Sequence, residues 1–374
     1  MQKILLLAIA FISLSAFAQI SDSYVLTPND ITVYRNGGYD VIITEEQSFT
    51  DEIGNPQLPV KIISYVLPYN STVKSIDISV TQQKLEGNFY IFPVQPPRRL
   101  DGSEEPPFVE PNPEIYGSST PYPNKIVEII NDGYTHGYHV VTVAIYPVMY
   151  YPADREIYLR DINFTINYTT SSSNTLTIKK QSLNRAELTK QFVQSMVKNA
   201  NDVESFKNPN VQIIDYSVCQ VDTIRGGSTS AIDVLVPDYI IITNHELKPI
   251  FKQLADWKTK KGVPAFIKTV EEIEPNYEGS DLQEKIRNYL KEVETKYDAG
   301  IFVLLGGDVN IVPERLYSKT KFATDMYYAT VVGTWNANNN DKFGEGSDVT
   351  DYVGTPKIRQ QNKGFFLNDG LKIL

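Results

Sequence analysis

One cysteine and three histidines bound the covalent chemistry open to this chain of 374 residues. A thiolate nucleophile needs a base or a cation beside it. Cys219 stands in a polar, weakly patterned stretch. His136 and His139 lie together in Tyr134-Thr135-His136-Gly137-Tyr138-His139, and His245 opens a helical pattern. No local context pairs a histidine with Cys219, which reads as a passive thiol. A serine hydrolase would carry G-x-S-x-G, and here Gly226-Gly227-Ser228 is linker-like. Neither C-x-x-C nor H-E-x-x-H occurs, so there is no zinc signature.

Two further groups are candidates. Gly306-Gly307-Asp308 follows the apolar run 301–305 but lacks the spacing and the lysine of a phosphate loop. Its glycines read as a sharp turn at a cleft. Asp308 is then either a structural cap or, with His245, a cleft residue. Downstream, Asn336, Asn338, Asn340, Asp341, Glu345, Asp348 and Asp351 crowd one glycine-containing loop, with Asp325 nearby. Oxygen ligands of this kind suit calcium. The start resembles an EF-hand, but residue 347 is Ser where that loop needs Glu. A solvated acidic loop and a calcium site built from Asp325, Asn338, Asp341, Glu345, Asp348 and Asp351 both stand as readings.

The elements that must position these residues fall into two patterns. Residues 20–177 alternate in the β manner: Val73, Ile76, Ile78, Val80, then Val141, Val143, Ile145, then Ile157, Leu159, Ile162, Phe164, Ile166. Pro and Gly punctuate them, and an antiparallel, sandwich-like domain is expected. Leu188, Phe192, Met196 and Val197 mark one face of a helix beginning near Ser182. From Pro237 the pattern is βαβαβ. Strands at 239–243, 263–270 and 301–305 alternate with two helices. The first helix runs 245–261, with Leu247, Ile250, Phe251, Leu254 and Trp257 facing inward and Gly262 as its stop. The second carries a capping box of Ser280 with Gln283. Such runs imply a parallel sheet covered on both faces, with ligands at the strands' carboxyl ends, here Thr243-Asn244-His245 and Gly306-Gly307-Asp308.

The formal net charge is -10, and the densest basic run is Lys258, Lys260, Lys261, which argues against nucleic acid as a partner. With one cysteine, no internal disulfide forms. Residues 1–18 have a basic start, a short apolar run and Ala16-Phe17-Ala18, so they read as a signal peptide cut after Ala18. Export follows, and no later segment is apolar enough for a membrane anchor. The expected order is signal peptide 1–18, β pro-domain 19–200, linker 201–236, α/β portion 237–355, and an aberrant tail 356–374 without a strand or helix partner. The linker holds Arg225-Gly226, the expected processing cut.

Several stretches carry a resemblance. Asp238-Tyr-Ile-Ile-Ile-Thr-Asn-His-Glu246 with Leu254-Ala-Asp-Trp-Lys-Thr-Lys-Lys-Gly-Val263, then Val303-Leu-Leu-Gly-Gly-Asp308 with Ile311-Val-Pro313, then Thr324-Asp-Met-Tyr-Tyr328, resemble the catalytic domain of gingipain-type (C25) cysteine peptidases. Upstream, Gly54-Asn-Pro-Gln-Leu-Pro59 and Tyr146-Pro-Val-Met-Tyr-Tyr-Pro152 are similar to the family's pro-domain. The resemblance implies an α+β, multidomain precursor: an antiparallel β pro-domain, then part of a caspase-like α/β domain that acts on protein or peptide substrates. It also raises the calcium reading. The family's catalytic cysteine and its Gly-His histidine come downstream of Leu-Gly-Gly-Asp. This sequence has no histidine after His245 and no cysteine after Cys219, so the pair maps onto no residue. The run after Tyr352 departs from the family's Gly-Arg strand and reads as a truncated or frame-shifted gene. The expected function is that of a secreted peptidase precursor, inactive as it stands. The alternative is a non-catalytic secreted β module that binds a partner or inhibits a peptidase, with a calcium-binding loop.

Overall fold

The structure is a computed structural model that describes residues 18–45, 48–97, 106–171, 178–215, 236–297, 301–316, 323–331, 333–344 and 371–373. Cys219, Arg225, Glu345, Asp348 and Asp351 lie outside these residues. The chain divides into two compact units, residues 1–60, 71–127 and 146–172 in the first, and 61–70, 128–145 and 173–374 in the second.

The β region carries Ala18–Tyr24 (β1), Thr32–Asn36 (β2), Tyr39–Ile43 (β3), Ser48–Phe49 (β4), Pro59–Leu67 (β5), Ser71–Leu85 (β6), Val127–Thr135 (β7), Tyr138–Ile145 (β8), Val148–Tyr151 (β9) and Glu156–Thr170 (β10). In the first unit β10 pairs antiparallel with β1, β6 and β9. Alternation makes one face of β10: Ile162, Phe164, Ile166 and Tyr168 are buried. The phase slips by one residue between Leu159 and Ile162. Arg160 occupies the slip, buried, with Nη1 donating to the carbonyl of Lys125 at 2.6 Å. A separate core gathers Leu26, Ile42, Leu58, Phe89, Ile91, Val148, Tyr150, Ile157 and Leu159.

The second unit takes in more than the α/β elements. Residues 61–67 of β5 pair with β8, and helix α2, Leu183–Met196, lies in the same unit. Val193 and Val197 pack with Val66, Tyr138, Val140 and Val203. Asn199 accepts from the Val66 N–H and donates to its carbonyl, both at 2.9 Å, in the manner of a sheet neighbour. The short helix before it, Pro113–Tyr116 (α1), belongs to the first unit. Of the helical face expected for α2, Phe192, Met196 and Val197 pack on the core around Val66, but Leu188 is 60% exposed, and Arg185 and Thr189 are buried beside Val193. A buried arginine and threonine at i and i+4 are invisible to an apolar periodicity count.

Strands Lys179–Ser182 (β11) and Val211–Ile214 (β12) pair in parallel. The expected linker is therefore structured over residues 201–215. Val203 is buried and Phe206 is packed against the same core, two apolar residues too sparse in the polar run 201–210 to make a pattern.

Beyond it, Tyr239–Thr243 (β13), Ala265–Thr269 (β14) and Ile301–Leu305 (β15) form a parallel sheet, with β13 between the others. Alternate residues of β13 face opposite layers. Tyr239 and Ile241 pack with Ala255, Phe251 and Leu254 of helix α3, Lys248–Lys260. Ile240 and Ile242 pack with Ile286, Leu290 and Val293 of helix α5, Leu282–Lys296, and with Ile273 of the short α4, Val270–Ile273. This is the expected sheet covered on both faces. Two residues expected to face inward from α3 do not: Ile250 is 63% and Trp257 54% exposed. Gly262 ends α3 with φ of +81°, and the Val263 N–H reaches back to the Lys258 carbonyl at 3.0 Å.

The cap of α5 lies one residue beyond the expected one. Asp281, not Ser280, accepts from the Glu284 N–H, and Ser280 instead donates to the Glu284 carboxylate. A short ribbon, Arg315–Leu316 (β16) with Ala323–Thr324 (β17), and a one-turn helix, Met326–Ala329 (α6), follow. The expected tail without a partner is corrected at its end: Leu371–Ile373 (β18) pairs in parallel with β15. Three residues are too few to read as a strand from pattern alone.

Candidate functional site

The carboxyl ends of β13 and β15 meet where expected. The Thr243 hydroxyl, fully buried, donates to the Gly306 carbonyl at 2.6 Å, and the Gly306 N–H donates to the Ile242 carbonyl at 2.7 Å. Both glycines are required by packing. A Cβ on Gly306 would stand 2.7 Å from the Phe251 ring. A Cβ on Gly307, whose φ is +142°, would stand 2.8 Å from Ile311 Cβ.

Asp308, exposed, closes a local turn, which agrees with either of its two readings. Its carboxylate accepts from the Asn310 N–H at 2.9 Å, and its carbonyl accepts from Ile311 and Val312. His245 is exposed, and its backbone N–H, not its ring, makes the visible contact, with the Glu271 carboxylate at 3.1 and 3.2 Å. No hydrogen bond among the described residues joins His245 to Asp308. The other two histidines are built into the second unit: His139 Nε2 lies 2.6 Å from Asp132, and His136 packs on Phe192.

Beside Asp308, a cleft of about 590 Å³ is lined by Val309, Pro313, Glu314, Arg315, Asp341 and Phe343, among others. Arg315 is its most constrained side chain. It grips both carboxylate oxygens of Asp281 at 2.8 Å, and its guanidinium lies 3.9 Å from the Phe343 ring centroid and 4.3 Å from that of Tyr327. Burial acts to raise the Asp281 pKa, but Arg315 and the Glu284 N–H outweigh it and hold the carboxyl below its ordinary value. Arg287, also buried, donates to the carbonyls of Thr330 and Gly333 and so fixes the chain leading into the acidic loop. Sequence reading passed over both arginines. The one available signal was a lone Arg on an otherwise apolar face of α5.

The acidic loop is a chain of turns. The Asn340 N–H donates to the side-chain oxygens of Asn336 at 2.9 Å and Asn338 at 3.1 Å, and Lys342 N–H donates to Asn340. Among the described residues of the loop, Asp341 carries the one carboxylate. Asp325 caps α6 with its carbonyl, and burial together with the charge of Glu314 pushes its pKa above the ordinary value. Among the described residues no group of three acidic, His or Cys side chains is gathered as a metal site.

A second polar cluster went unseen in the sequence. Asp238, just before β13, is buried and accepts from Ser182 Oγ at 2.5 Å and Arg185 Nη1 at 2.8 Å. Arg185 also donates to the Pro237 carbonyl at 2.5 Å. Burial pushes the Asp238 pKa up, and Arg185 and Ser182 pull it down.

Comparison with known proteins gives this arrangement its class. Residues 29–200 match a propeptide model, Propeptide_C25, and residues 233–354 match a peptidase model, so a propeptide stands ahead of part of a catalytic domain. Both models describe one family, and the chain belongs to peptidase family C25 as a gingipain-type precursor. Lys-gingipain of Porphyromonas gingivalis is 22% identical over 328 residues, covering 86% of this chain, and Lys-gingipain HG66 of the same species is 21% identical over the same length. The chain spans 18% of the length of these relatives. Among solved structures, gingipain K from Porphyromonas gingivalis, in a study of its zymogenic latency, aligns with a TM-score of 0.36 at 20% identity, over 42% of this chain and 90% of that one. The complex of Porphyromonas gingivalis RgpB pro- and mature domains gives 0.37 at 16%, over 50% and 96%. No helix among the described residues is long and apolar enough to cross a membrane.

Proposed function

We propose that this chain is the exported propeptide of a gingipain-type cysteine peptidase, joined to an opening part of the peptidase domain that does not hydrolyse peptides by itself. The observation that carries the reading is the order of the two family matches, a propeptide model ahead of a peptidase model. In the family a cysteine and a histidine downstream of that strand end do the chemistry, and neither residue type follows it here. The substrates of the complete protein are proteins or peptides. The N-terminal segment, with its Ala16-Phe17-Ala18 boundary, supports export. Calcium is proposed as a weak ligand of Asp341 with Asn338, Asp325, Glu345, Asp348 and Asp351, completed by oxygens from elsewhere. The decisive test of the main reading is peptide hydrolysis by the purified chain, with Cys219→Ala as its partner. No turnover in either is expected, and turnover that Cys219→Ala abolishes would overturn it.

A further inference from the structure

Helix α3 carries a stripe that the fold leaves in water. Ile250, Gln253, Trp257, Lys260 and Lys261 recur at helical spacing and all five are exposed, while Phe251, Leu254 and Ala255 pack inward on β13. Ile250 and Trp257 are each more than half exposed. Positive charge gathers on the same helix. Residues 248–261 hold five lysines and one aspartate, a local charge of +4 on a chain of net charge -10. Lys248 pairs with Glu272 and Lys252 with Asp256, each at 2.7 Å. Among the described residues, no carboxylate pairs with Lys258, Lys260 or Lys261. Two of these three rest on rings instead. Lys258 Nζ lies 4.4 Å from the Tyr239 ring centroid, and Lys261 Nζ lies 5.9 Å from that of Trp257.

A helix C-terminus favours cations, which accounts for lysines in the last turn of α3 but not for an exposed indole among them. Lysines beside an exposed Trp and Ile match a phase that is anionic at its surface and apolar just beneath. We infer that this stripe docks the chain peripherally on an anionic bilayer surface. Lys260 and Lys261 donate to lipid phosphates, and Trp257 with Ile250 enters the boundary between headgroups and acyl chains. A soluble polyanion would satisfy the same lysines but leave both apolar side chains in water, so the bilayer is the occupant that uses the whole stripe. The helix does not cross the membrane: its inner face stays packed on the sheet. The cleft beside Asp308 is lined by Gln283 of α5, in the opposite layer, so docking through α3 does not use it. The inference needs no peptidase activity, so the outcome of an activity test leaves it standing.

The test is co-sedimentation with vesicles of phosphatidylcholine alone or mixed with phosphatidylglycerol. It uses the chain from Gln19 onward, so that the apolar run before Ala16 contributes nothing. Binding to the anionic vesicles and not to the neutral ones is expected, weakened by 0.5 M salt. Lys260→Gln/Lys261→Gln should lower the partition coefficient about 25-fold, about fivefold for each lysine near an anionic surface. Trp257→Ala should lower it about 10-fold. Lys296→Gln removes one exposed charge from α5, on the other face of the sheet, and should change it by less than about twofold. The chain has two tryptophans, and Trp335 is buried, so a blue shift of fluorescence on anionic vesicles should come from Trp257 and vanish in Trp257→Phe. Circular dichroism should be the same in every variant. Wild type that stays in solution with anionic vesicles would overturn the inference. So would binding that Lys260→Gln/Lys261→Gln leaves intact. Lysine-dependent binding to soluble polyglutamate, with no fluorescence shift on vesicles, would also overturn it and assign the stripe to an acidic protein partner. If Trp257→Ala fails to fold, the lysine variant and the Trp257→Phe spectrum decide.

Discussion

Replacing Asp281 probes two roles at once. Its carboxylate caps α5 through the Glu284 N–H at 2.8 Å and takes both arms of Arg315 at 2.8 Å. Asp281→Ala removes a cap, worth about 1 kcal/mol. It also leaves Arg315, whose side chain is 8% exposed, without its counter-charge. Breaking a fully buried pair costs about 3–5 kcal/mol. Asp281 is 36% exposed, so water screens part of this, and a loss of roughly 2–4 kcal/mol is expected in all. Asp281→Asn keeps an N-cap oxygen and loses the charge, so its cost should be about 1–2 kcal/mol. The sign with pH follows from the pKa. A carboxyl held below its ordinary value contributes stability above about pH 4, and loses it as pH falls through its folded pKa. The assay is urea unfolding followed by Trp335 fluorescence, since Trp335 is buried 5.8 Å from the ring of Tyr327, on which Arg315 lies. The gap between wild type and Asp281→Asn should be full at pH 7 and smaller at pH 3. A gap of the same size at both values would refute the electrostatic argument. An Asp281→Ala cost under about 0.5 kcal/mol would refute the cap and the pair together.

Three further outcomes follow from the same geometry. Gly306→Ala must move the Phe251 ring or the β15 end, and a loss of about 1–3 kcal/mol in thermal or urea unfolding is expected, whereas a neutral result would show that the strand end is loosely packed. Arg287→Met removes the guanidinium donors from the Thr330 and Gly333 carbonyls at a cost of about 3 kcal/mol, and hydrogen exchange should quicken at residues 333–344 without changing in α3. Calorimetry at millimolar calcium should give weak heat that the Asp341→Ala/Asp348→Ala variant loses, and identical heats would leave the loop a solvated acidic surface.

The fold was legible wherever the pattern was apolar and periodic. Strands β13 and β15 were readable because both faces are buried, and β10 because its buried face alternates. The elements missed are those held by polar burial. Helix α2 buries Arg185 and Thr189 beside the apolar face, and Leu188 is left in water while Phe192 and Met196 pack on the core. Residues 201–215 looked like a linker because Val203 and the Asn199 contacts to Val66 leave no periodic trace. At the candidate site, the two glycines and the Asp308 turn could be placed from strand-end logic. Arg315, Arg287 and Asp238 could not, because each acts on a partner 34 or more residues away in the chain.

The central claim is that the chain holds a C25 propeptide and a portion of the peptidase domain that lacks the catalytic pair. It is tested most directly by incubating the purified chain, before and after cutting within residues 216–235, with peptides bearing Lys, Arg or neutral residues at the cleaved position. The account predicts no hydrolysis in either state. Hydrolysis that persists through purification and disappears in Cys219→Ala would contradict it.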